Sequence, residues 1–101
     1  MKNIKTIIVE PDKKPYIKII NNINYDLYGL VYYPYQKMKL SDNLYLIYSK
    51  DATLNKELKR NRTINNIEIY STFIITGYDK NEITSLSVEQ IEEIKKILWK
   101  V

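Results

Sequence analysis

Residues 67–101 read IEIYSTFIITGYDKNEITSLSVEQIEEIKKILWKV, and both periodicities that decide the fold lie within them. Up to Gly77 the stretch is rich in β-branched and aromatic residues, which favour extended chain, with Phe73, Ile74 and Ile75 its most apolar part. It holds one strand or two, with Ser71 near the break. From Ser87 onward the period changes. Ser87 and Gln90 stand at the spacing of a capping box, and Leu86 and Ile91 occupy the flanking positions of a hydrophobic staple. Val88, Ile91, Ile94, Leu98 and Val101 mark an apolar stripe, with Ile97 beside it. Glu89, Glu92 and Glu93 crowd the positive end of this helix, and Lys95, Lys96 and Lys100 sit toward the negative end. Such a stripe is expected to pack on the domain's own sheet.

The N-terminal half supplies further strands. Ile4–Val9 is a nearly continuous apolar run closed by Glu10-Pro11, the pattern of a central strand buried on both faces. A charged turn from Pro11 to Pro15 leads into a second strand, Tyr16–Ile20, with Ile17 and Ile19 on one face, so the two form a hairpin. Asn21–Asn24 precede a short helix over Tyr25–Val31, with Tyr25, Tyr28 and Val31 in one row and Leu27 and Leu30 in another. Pro34 restricts Tyr32–Lys37 to an edge strand. A turn at Ser41–Asn43 precedes a strand over Leu44–Tyr48, and Ser49–Thr63 reads as a polar loop with a turn of helix around Leu54–Leu58. The expectation is a single α+β domain over residues 1–101. It comprises a small, mainly antiparallel sheet with a short middle helix and a C-terminal amphipathic helix packed on it.

Composition narrows the chemistry. The 101 residues contain no Cys and no His, which removes thiolate nucleophiles, imidazole bases, disulfides and zinc sites of the Cys/His type. The two glycines, Gly29 and Gly77, are too far apart for a P-loop or a dinucleotide fingerprint, and no calcium-loop pattern occurs. No cofactor, no metal and no enzymatic activity are therefore expected. No apolar run approaches the ~20 residues of a membrane span, and the N-terminal run is shorter than a secretion signal needs, so a cytoplasmic protein without membrane contact is expected. Ile, Lys, Asn and Tyr together fill 51 positions, all four having AT-rich codons, which accounts for much of the tyrosine excess.

Net charge is +4 and uneven: residues 79–101 sum to −1, leaving +5 for the first 78. The densest basic cluster is Lys56, Lys59, Arg60 and Arg62, which contains both arginines of the chain. In a sequence so biased toward Lys, Arg at two neighbouring positions signals a need for fork geometry. The fork could serve a phosphate-bearing or protein partner, or be clamped to the domain's own oxygens. Tyr28, Tyr32, Tyr33 and Tyr35 lie in one eight-residue window. Tyr32, Tyr33 and Tyr35 are candidates for aromatic contacts with a base or a protein, against the competing demand that some rings fill the core.

Three motifs together are similar to those of a family borne by phages and plasmids, domain of unknown function 3846. They are VEP-x-KKP (Val9, Glu10, Pro11, Lys13, Lys14, Pro15), the pair Asn61-Arg62, and STFIITGYD…TSLSVEQIEE near the end. Two positions depart from the family: Ser71 stands where it usually has Gly, and no second Gly follows Asp79. The resemblance implies an α+β fold and a bacterial mobile genetic element, and supplies no catalytic residues. Short proteins of such elements often work by binding, with host defence a frequent target. The expectation is an inhibitor that binds a protein of the host defence machinery, such as a CRISPR nuclease complex. Direct mimicry of DNA is disfavoured by the positive charge. The alternatives are a small nucleic-acid-binding accessory, a sponge for an anionic nucleotide signal, or an ordinary structural or regulatory phage protein.

Overall fold

A computed structural model describes residues 3–21, 31, 35–49, 60–64, 66–80 and 82–98. The elements are β1 (Ile4–Val9), β2 (Tyr16–Ile20), β3 (Tyr35–Ser41), β4 (Leu44–Ser49), β5 (Arg60–Ile64), β6 (Ile67–Tyr70), β7 (Phe73–Asp79), β8 (Glu82–Thr84) and a helix, α1 (Val88–Leu98). The main sheet runs β2-β1-β7-β4-β3, with β8 pairing the far end of β7, and every pairing is antiparallel. β5 and β6 form a separate two-stranded ribbon.

β1 fulfils the expectation of a strand buried on both faces, since Ile7, Ile8 and Val9 are all fully buried. Alternation divides its side chains. Ile7 and Val9 join Leu44, Leu46, Phe73 and Ile75 in one cluster, covered by α1 and by Ile69 of the ribbon. Ile8 faces the other way, toward Ile20, Val31, Ile47 and Ile74. β3 is the edge strand expected beside Pro34, but it occupies Tyr35–Ser41 instead of Tyr32–Lys37, with residues 32–34 outside the described residues. Of the expected short helix over Tyr25–Val31, Val31 is described and buried but not helical; the rest of it, like the turn around Leu54–Leu58, lies outside the described residues. Among the described residues α1 is the single helix.

At the start of α1 the capping box is formed in both directions. Gln90 N donates to Ser87 Oγ at 3.1 Å, and Ser87 N donates to Gln90 Oε1 at 2.8 Å. Ile91, Ile94 and Leu98 are buried, whereas Val88 is 69% exposed, against the expected stripe. Leu86, arriving from β8, is buried in the same cluster and takes the inward place ahead of the first turn.

A second correction concerns residues 60–63, expected in a polar loop. They form most of β5, because pairing with β6 satisfies their backbone without requiring apolar side chains. The break foreseen near Ser71 separates β6 from β7. Ser71 and Lys80 have φ of 71° and 48°, the left-handed region that L-residues enter at a cost. These are the turns at which the family departures were noted. Gly77 meets a different demand. A Cβ there would lie 2.5 Å from Thr84 Oγ1 and 3.0 Å from Ser85 O, so any side chain would have to displace the Thr84 hydroxyl and press on the Ser85 carbonyl. Two substitutions should therefore act with opposite signs in thermal unfolding. Ser71→Gly should stabilise by about 0.5–1 kcal/mol, and Gly77→Ala should destabilise by about 1–3 kcal/mol.

Candidate functional site

The motifs that carry the family resemblance are far apart in sequence and meet at the end of β1. β5 contains an irregularity: Arg60 pairs with Tyr70 and Arg62 with Ile69, leaving Asn61 as the extra residue of a bulge. A bulge re-aims the side chain it releases from the ladder. Here the Asn61 amide donates one N–H to Val9 O at 2.9 Å and the other to Ser71 O at 2.8 Å. Its oxygen accepts from Arg62 Nη1 at 2.7 Å. Arg62 Nη2 in turn donates to Lys13 O at 3.2 Å, within the VEP-x-KKP turn. Arg62 thus ties the turn, through Asn61, to β1 and to the junction of β6 and β7. Partial burial of the guanidinium lowers its pKa from the usual value, without depriving it of its charge.

Arg60 points elsewhere. Its Nη2 donates to Thr63 Oγ1 at 3.1 Å, and its Nε lies 3.7 Å from Glu68 Oε1. Lys13 is paired with Glu10 across 3.8 Å at an exposed position. Of the four candidate cations, Arg60 and Arg62 are placed and both have partners within the domain, while Lys56 and Lys59 fall outside the described residues. Among the aromatic candidates, Tyr35 is half-buried and packs against the cluster of Ile8, Ile47 and Ile74. Tyr32 and Tyr33 fall outside the described residues. Sequence reasoning missed another aromatic pair: Tyr45 and Tyr78, on neighbouring strands, stack with centroids 3.8 Å apart. The tyrosine density drew attention to one window, whereas the ladder pairs rings from two others.

The opposite end of β1 is closed by the third motif. Lys5 N donates to Ser85 Oγ at 2.8 Å, and Leu86 N donates to Lys5 O at 2.9 Å. The chain leaving β8 therefore wedges beside the start of β1, at the place where Gly77 admits it. Between α1, β3 and the ribbon lies an apolar hollow of about 200 Å³, lined by Leu40, Leu44, Ile64 and Ile97 among others. That is below the ~300 Å³ of an ordinary small-molecule pocket. Among the described residues, no three His, Cys, Asp or Glu side chains come together as a metal site. No helix there is long and apolar enough to cross a membrane.

The geometry ranks three residues of β5 by their structural importance. Asn61→Ala removes two donors from part-buried carbonyls and should lower stability by about 2 kcal/mol, or roughly 8–16 °C in Tm. Arg62→Ala should lower it by about 1 kcal/mol, and Arg60→Ala, an exposed pair, by under about 0.5 kcal/mol. Thermal unfolding of the three variants under one set of conditions checks the order.

Comparison with curated proteins and with solved structures gives no match. A family model, described as Domain of unknown function (DUF3846), matches residues 4–98, which include every contact just described. With nearly the whole length matched, the chain belongs to the DUF3846 family.

Proposed function

We propose that this protein is a non-enzymatic product of a phage or plasmid that binds and inhibits a bacterial immune effector, such as a CRISPR nuclease complex, in the host cytoplasm. The observation that favours a protein partner is where the chain spends its arginines. Guanidinium groups are the side chains best suited to grip phosphate, and here one is tied to Asn61 and Lys13 and the other to Thr63 and Glu68. A nucleic-acid or nucleotide site built on Arg60 and Arg62 would have to share these guanidinium groups with the partners they already hold. Meanwhile large apolar side chains stand in solvent: Ile17, Ile19, Val88 and Ile97 are all exposed. Apolar surface of this kind suits a protein interface.

Expression from a plasmid should raise phage plating on a CRISPR-bearing strain and leave it unchanged on a strain without that defence. Equal plating on both would refute the proposal. The competing readings have their own signatures. Heat on calorimetric titration with cyclic dinucleotides would favour a nucleotide sponge. DNA binding that weakens steeply with salt would favour a nucleic-acid accessory.

A further inference from the structure

Resting on that reading, we infer that the outer edge of β2 is the docking site, and that it takes an extended segment of the partner protein as an added strand. The occupant is acidic on one face and apolar on the other.

The orientation of the β2 backbone follows from contacts made by β1. Lys5 directs both its N–H and its C=O away from β2, to Ser85 Oγ and to Leu86 N. Backbone polar groups in a strand alternate between its two sides. Ile4, Thr6 and Ile8 therefore turn theirs toward β2, and their register partners Ile20, Lys18 and Tyr16 turn theirs back. Thr6 Oγ1 also donates to Lys18 O at 2.8 Å, which places that carbonyl on the β1 side. The residues left to face outward are Ile17 and Ile19. Among the described residues no strand pairs with them there.

These same two residues have exposed side chains, Ile17 at 45% and Ile19 at 57%. Both side chains are thus open to solvent, and among the described residues the outward main-chain groups of Ile17 and Ile19 meet no strand. An added strand would bond to two N–H and two C=O groups and cover both isoleucines with alternate side chains. Its intervening side chains would face Lys18, which lies on the opposite face of β2 and is exposed. Lys14 is exposed just before the strand. Carboxylates in the partner strand complement this field. A second copy of the chain fits less well. Pairing two β2 strands through Ile17 and Ile19 sets Lys18 against Lys18 across the symmetry axis, where like charges repel.

The test uses the full chain and an acetylated, amidated heptapeptide alternating Glu and Val. Amide exchange followed by NMR should find Ile17 and Ile19 fast, and Tyr16, Lys18 and Ile20 slow. Adding the peptide should slow Ile17 and Ile19 by about tenfold or more. A Lys/Val peptide should bind about tenfold more weakly, and Lys18→Glu should reverse that preference. Ile19→Pro removes an outward N–H, the side on which an edge strand tolerates proline, and should weaken binding about tenfold.

Slow Ile17 and Ile19 exchange without peptide, at every protein concentration, would mean the chain covers its own edge and would overturn the assignment. Protection that grows with protein concentration alone would assign the edge to a second copy and overturn it equally. So would indifference to peptide charge. Plating separates this inference from the reading beneath it. Wild type that plates equally on both strains refutes the anti-defence reading, while exchange still judges the edge. A Lys18→Glu variant that stays folded and protects phage fully leaves that reading standing and removes the edge from it.

Discussion

A strand buried on both faces must find a partner for each of its backbone polar groups within the protein, and this requirement on β1 organises the molecule. Ile4, Thr6 and Ile8 are served by β2, and β7 runs alongside Ile7, Ile8 and Val9. Neither neighbour completes the two ends. At Lys5 the sheet forks, because β7 has turned to pair with β8, and Ser85 and Leu86 fill the gap. At Val9 the carbonyl is met by Asn61 from a different sheet. The three motifs noted in the sequence thus supply the two closures of one strand. Gly77 belongs with the first, since any side chain there would collide with the segment that closes it. Asn61 and Arg62 belong with the second.

The parts of the fold that were legible in the sequence are those whose signal is local. The β1–β2 hairpin, β4 and the reciprocal cap at Ser87 and Gln90 each rest on residues within a few positions of one another. β5 was not legible. RNRTI has a single large apolar residue, and it becomes a strand because β6 and the carbonyls of Val9 and Ser71 are available to it. Nothing in its own pattern reports those partners. The exposure of Val88 was hidden for a similar reason, because the helical period is blind to Leu86 entering from outside the helix. Arg62 uses both arms of its guanidinium fork, one to Asn61 and one to Lys13. What the sequence left open was whether the oxygens belonged to a ligand or to the chain, and two of them, Asn61 Oδ1 and Lys13 O, belong to the chain.

Because these contacts maintain the fold, they carry little information about the target. The surface not needed for folding is then the place to look for specificity. The arginine cluster does not meet that condition, since Arg62 has its own structural duty.

Simple dimensions explain why β2 does meet it. Five strands about 4.8 Å apart make a sheet about 19 Å across, whereas a helix with its side chains is about 10–12 Å wide. One helix cannot roof that sheet alone. The ribbon completes the cover on the β3–β4 side, where Thr63 and Ile64 share the hollow with Leu40, Ser41 and Ile97 of the neighbouring elements. The contact between Gln90 Nε2 and Asn43 O, at 3.1 Å, also draws α1 toward that side. What remains uncovered on this face is the strand farthest away. Ile17 and Ile19 have the alternation and the residue type of buried positions, and they are exposed because the roof stops short of them. A small domain that wanted only stability could place Thr or Lys at both, as edge strands commonly do. Keeping isoleucine there, with Lys18 exposed on the opposite face, leaves an unfinished sheet whose apolar row and cationic reverse side describe the strand that would complete it.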